Sequence, residues 1–124
     1  MRFEENRAGD VLVAKVLENR IVAEVAPRFK AQLLQYINAG NKEIVLDLSA
    51  VTFIDSSGLG ALVSILKAMG QDGDLVLCGT TGTVTSMFKL TRMDKVFRMF
   101  STTDDAVAAL TCGGVSGEPA AVSY

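Results

Sequence analysis

The chain has 124 residues, the size of one domain, and its 49% apolar against 21% charged residues exclude a disordered tail or a highly charged linker. Its 12 basic and 14 acidic residues leave a formal net charge of -2, with no long block of either sign, which argues against a nucleic-acid-binding surface. The count of 0 histidines removes the usual general base, the Ser-His-Asp arrangement and every imidazole zinc site.

Met1-Arg2-Phe3-Glu4-Glu5 lacks the basic start and apolar run of a secretory signal. Phe3 to Arg7 and Val11 to Leu17 read as two short strands joined by an Ala8-Gly9-Asp10 turn, an opening hairpin. Pro27 suits the first turn of a helix, Phe29, Leu33, Tyr36 and Ile37 follow at helical spacing, and Gly40 is placed to end it. Glu43 to Leu48, with Ile44-Val45-Leu46 at its centre, predicts a strand covered on both faces. Val51 to Ile54 predicts a further strand, after which the polar turn Asp55 to Gly60 leads into a helix with Leu59, Leu62, Val63, Leu66 and Met69 on one stripe.

Leu75 to Cys78 predicts the next strand, and Val84, Met87, Phe88 and Thr91 a third helix. Val96 to Phe100 reads as a last edge strand and Thr103 to Leu110 as a last helix, capped by Ser101, Thr102 or Thr103 and favoured by Asp104-Asp105 in its first turn. Strands alternating with helices imply crossover connections. The expected fold is therefore α/β, a mixed, mostly parallel sheet of about four or five strands with about four helices packed against it. Residues 1–110 form the expected domain and the Gly-, Ser- and Pro-containing residues 111–124 a flexible tail. Cys78 and Cys112 lie far apart, which argues against a disulfide framework and for a reducing compartment. The apolar segment Leu59 to Met69, interrupted by Ser64 and Lys67, is too short to insert in a membrane, so a cytoplasmic protein is expected.

Few residues can carry chemistry. Two separated cysteines supply no zinc cluster, no nucleotide-binding glycine motif stands between a strand and a helix, and Gly79 to Thr83 resembles a phosphate loop in composition only. Ser64-Ile65-Leu66-Lys67 matches the Ser-x-x-Lys pattern of some acyl enzymes without its companion motifs, and reads as a solvent-facing pair on a helix. Asp55-Ser56-Ser57-Gly58-Leu59-Gly60 is the one dense polar and glycine cluster where a strand enters a helix. Its simplest role is an N-cap supplied by Asp55, Ser56 or Ser57. Ser57, Gly60, Ala61, Ser64 and Ala68 also share a helical face nearly free of bulk, suited either to tight packing within the chain or to close approach by a second protein.

On these residues the chain resembles the STAS family, and within it the single-domain anti-sigma factor antagonists of bacteria. The resemblance is carried by Ile44-Val45-Leu46-Asp47-Leu48-Ser49, by Val51-Thr52-Phe53-Ile54-Asp55-Ser56-Ser57-Gly58-Leu59-Gly60 and by Leu90-Thr91-Arg92-Met93-Asp94-Lys95-Val96-Phe97, and spans roughly Val11 to Leu110. It implies a non-enzymatic partner-switching protein that needs no cofactor. The unmodified form would bind an anti-sigma factor that is also a serine kinase and so free a sigma factor. Phosphorylation of Ser57 would end that binding, and a PP2C-type serine phosphatase would reverse it. Asp55, Ser56, Ser57, Gly58, Leu59, Gly60, Ala61 and Ser64 are the residues expected to meet the partner. One departure concerns the aspartate that the family commonly places where the second strand runs into the first helix: this chain has Val22 there, and either Glu24 substitutes at a small shift or the acidic contact is missing. Other STAS assemblies, a lipid-transporter accessory protein or a signalling scaffold, share the fold, whereas an acyl- or phosphoryl-transfer enzyme would need a base or nucleotide loop that the sequence does not supply.

Overall fold

The computed structural model describes residues 2–71 and 73–116, with side chains described as far as Thr111. The opening hairpin forms as expected: strand β1 (Phe3–Ala8) returns antiparallel as β2 (Val11–Val16) across Gly9-Asp10, Gly9 taking a positive φ of 65°. There follow β3 (Arg20–Ile21), helix α1 (Ala26–Asn38), β4 (Glu43–Asp47), β5 (Phe53–Ile54), α2 (Ser56–Met69), β6 (Asp74–Cys78), α3 (Gly82–Leu90), a 3-10 turn (Met93–Lys95), β7 (Met99–Phe100) and α4 (Thr103–Ser116). The main sheet has five strands in the order β1-β2-β4-β6-β7, parallel from β2 onward, so the mixed, mostly parallel α/β expectation holds.

The alternation of side chains along each strand decides what the sheet buries. Leu12, Ala14, Val16, Ile44, Leu46, Leu75 and Leu77 meet Phe29 and Leu33 of α1, Leu62 and Ile65 of α2 and Phe88 of α3 in the larger core. Val11, Val13, Val45, Val76 and Cys78 face the other way, onto Ala106 and Leu110 of α4. Three helices thus cover one face and α4 the other. Cys78 is a free, buried thiol whose pKa burial pushes up. β1 is an edge, held to α1 through Phe3 stacked on Phe29 and through the Tyr36 hydroxyl donating to Glu5 Oε2 at 2.9 Å, and to the segment after α1 through Arg7 bonded to Asn41. Burial, and then the bond to Glu5, pushes the Tyr36 phenol up to about 12.

Three boundaries differ from the sequence reading. Val51 and Thr52 belong to no strand: Val51 N–H closes a turn onto Leu48 O at 3.0 Å and Thr52 N–H reaches Asn19 O at 2.7 Å. Only Phe53 and Ile54 pair, in parallel with Arg20 and Ile21, as a separate two-stranded sheet. The expected edge strand from Val96 shrinks to Met99–Phe100, because Arg92 adopts a left-handed conformation (φ 64°) and the chain then winds through the 3-10 turn. Phe97 leaves the strand to pack edge-on against Phe88, their ring centroids 6.3 Å apart. The last helix continues past Leu110 to Ser116, and the part of the expected tail at 117–124 lies outside the described residues. Its cap is Thr102, whose hydroxyl accepts from Asp105 N–H at 3.1 Å.

Candidate functional site

α2 begins where β5 ends, and Asp55 makes that junction. Its backbone is extended (φ -96°, ψ -176°), the geometry of an N-cap, and one carboxylate oxygen accepts from Gly58 N–H at 2.9 Å. The other oxygen accepts from Ala23 N–H at 3.0 Å, which ties the β3–α1 connection to the start of α2. Asp55 N–H in turn donates to Ile21 O at 3.2 Å. Of the three residues that the sequence left open as the cap, Asp55 takes the role, and the hydroxyls of Ser56 and Ser57 make no hydrogen bond among the described residues. Both serines are exposed, in the first turn of the helix.

The Gly58 N–H, chiefly, with the Ala23 and Ser57 N–H groups and the Arg20 charge, holds the Asp55 carboxyl below its ordinary 3.8 against an opposing effect of desolvation. Arg20 is fixed on this flank by its guanidinium, 5.4 Å above the centroid of the Phe53 ring. A carboxyl whose folded pKa is depressed contributes stability that is complete above its unfolded value and is lost as the pH falls through the folded one. Asp55→Ala is therefore expected to lower Tm by several degrees at neutral pH. Asp55→Asn, which keeps a capping oxygen, should flatten the loss of stability below about pH 4. Thermal melts across an acid pH series check both; an unaltered acid profile in the asparagine protein would contradict the assigned bonds.

The eight residues expected to face a partner divide by burial. Ser56, Ser57 and Gly60 are exposed, and Asp55 and Ser64 are half-exposed. Gly58, Leu59 and Ala61 are buried, the last two at 6% and 8% exposure, so their places are in the core beneath the surface. The small-residue face is consequently Ser57, Gly60, Ser64 and Ala68, with Ala61 turned inward. Gly60 is open enough that an added Cβ would meet no atom within 4 Å. Lys67 is exposed beside this face, and among the described residues it forms no hydrogen bond with Ser64. Val22 is half-buried and its carbonyl accepts from Val25 and Ala26 N–H at 2.9 Å, while Glu24 is exposed. α1 itself has no side-chain cap.

Ala23, Ile21, Arg20 and Phe53 also shape the site, and sequence reading missed them. Ala23 acts only through its N–H, and the β3–β5 pairing that brings Arg20 to Phe53 is too short to show a period. A groove of about 500 Å³ lies elsewhere, between β1, β2 and α4, lined by Glu4, Lys15, Asp47, Thr103 and Val107 among others, and neither serine borders it. The start of α2, with Ser56, Ser57 and Gly60 exposed, is separate from that groove.

This combination defines an α/β domain that presents two hydroxyls at a helix start. The family described as the STAS domain matches residues 6–106, and the chain belongs to that family. The anti-sigma-F factor antagonist RsfB of Mycobacterium tuberculosis is 30% identical over 106 residues, covering 86% of this chain and 77% of its own length. The crystal structure of an anti-sigma factor antagonist from Mycobacterium paratuberculosis superimposes with a TM-score of 0.81 at 25% identity, over 89% of this chain and 93% of that one. The anti-sigma factor antagonist SpoIIAA in its unphosphorylated form shares the fold, with a TM-score of 0.65 at 17% identity over 90% of this chain and 99% of its own. Among the described residues no helix is long and apolar enough to cross a membrane.

Proposed function

We propose that this protein is an anti-sigma factor antagonist that acts by partner switching in the cytoplasm. Unmodified, it docks the start of α2 on an anti-sigma factor that is also a serine kinase, and so frees a sigma factor. A phosphate on the serine pair ends docking, and a PP2C-type serine phosphatase restores it. ATP and metal ions belong to those partners, and the chain itself has no catalytic role. The observation that carries this reading is the exposure of Ser56 and Ser57 beside the small residues Gly60, Ser64 and Ala68. The names of the relatives support the same role.

Ser57 is the site expected from the family resemblance. Ser56, one position earlier, is also exposed. Incubation with ATP, magnesium and the cognate serine kinase should add one phosphate, which mass spectrometry maps to Ser57 or to Ser56. The double variant Ser56→Ala/Ser57→Ala should take none. Phosphate found only elsewhere, or no phosphate at all, would remove the basis of the switch.

A further inference from the structure

We infer that β1 is a self-association edge through which two copies of this chain pair antiparallel, in a register centred on Asn6. The inference stands apart from the role of the serine pair.

The two edges of the sheet differ. β7 has only 2 residues, a common way of keeping an edge from pairing, whereas β1 has 6, four of them exposed on both faces of the strand. Leu17 N–H donates to Arg2 O at 3.0 Å, and the register runs Glu4 to Lys15, Asn6 to Val13 and Ala8 to Val11. Antiparallel bonding alternates along a strand, so these even-numbered residues turn their N–H and C=O groups toward β2. Phe3, Glu5 and Arg7 therefore direct theirs outward, where no described residue pairs with them.

Two copies can join here only about a two-fold axis perpendicular to the sheet, which keeps corresponding faces together and makes directly opposed residues share a face. That symmetry allows few registers. One centred on Glu4, Glu5 or Arg7 sets that charged residue against its own copy. The register centred on Asn6 sets Glu5 of each copy against Arg7 of the other, twice, and makes both of these hydrogen-bonded positions. The charges thus favour one register and penalise its neighbours. Both side chains keep capacity for this: Tyr36 binds Glu5 Oε2, and Asn41 binds one nitrogen of Arg7. A strand of 6 residues is small against the roughly 1,200–2,000 Å² of a stable interface, so association is expected near millimolar protein rather than at nanomolar.

Sedimentation equilibrium of the full chain from micromolar to millimolar concentration tests this. The wild type should show a reversible monomer–dimer equilibrium, and Arg7→Glu should weaken it by about tenfold or more. The swap Glu5→Arg/Arg7→Glu should restore it, although it removes both internal contacts of these side chains. Circular dichroism checks that each variant is folded, and hydrogen exchange at the Glu5 and Arg7 amides should slow as wild-type concentration rises. A chain that stays monomeric to millimolar, or a dimer indifferent to Arg7→Glu, overturns the proposal.

Discussion

Gly58→Ala is expected to destabilise the domain by about 2 kcal/mol, against the ordinary rule that alanine improves a helix by up to ~1 kcal/mol over glycine. The sign is decided by what the added methyl would meet: Ile21 O at 2.5 Å, Ile54 Cγ2 at 2.7 Å and Ile21 Cγ2 at 3.0 Å. Ile21 O is a backbone atom that already accepts Asp55 N–H, so it cannot swing aside as a side-chain tip would. The first turn of α2 must move instead, taking both serines with it. Gly60→Ala is the control within the same helix turn. Its methyl would meet no atom within 4 Å, so the variant should be more stable by about 0.5–1 kcal/mol. Urea unfolding at unchanged m-value measures both; a Gly58→Ala protein as stable as the parent would show that α2 does not approach β3 this closely.

Those two glycines also show what a sequence can reveal. Both stand in one motif, and nothing in Ser57-Gly58-Leu59-Gly60 says that one is packed against a carbonyl and the other open to solvent. Legibility followed the range of the interaction. β4 and β6 are dense apolar runs and α1 and α2 carry their apolar residues at helical spacing, so these elements were legible from local pattern. The pairing of Arg20–Ile21 with Phe53–Ile54 is 2 residues long on each side and depends on contacts more than thirty positions apart, so no local pattern records it. Val96 to Phe100 misled for a related reason: its apolar residues serve different ends. Phe97 is 3% exposed and Val96 48%, and only Met99–Phe100 pair with β6. At the candidate site the capping residue was legible as a choice of three side chains. The tie from Asp55 to Ala23 N–H was not, because a backbone donor has no residue type.

A phosphate on the serine pair is expected to weaken binding of the anti-sigma partner by about 100-fold or more, ~2.7 kcal/mol, while leaving the stability of the isolated domain nearly unchanged. The two effects separate because the modified hydroxyl lies in the first turn of α2, where an anion is compatible with the helix dipole. Its charge of about -1.5 to -2 adds to the Asp55 carboxylate close by, whose own charge Arg20 partly offsets. In the free protein water screens this charge. A partner lying flush on Gly60 and Ala68 would have to strip that water, and would meet three new oxygens where a hydroxyl had been. An aspartate at the modified position carries one charge on a planar group and should weaken binding less than the phosphate does. Alanine there should preserve binding and make it insensitive to ATP. Calorimetric titration of the partner with the unmodified, phosphorylated, Ser57→Asp and Ser56→Asp proteins orders these effects and identifies the hydroxyl that matters. Equal affinity for the phosphorylated and unmodified forms would mean that partner choice is governed by some other part of the surface.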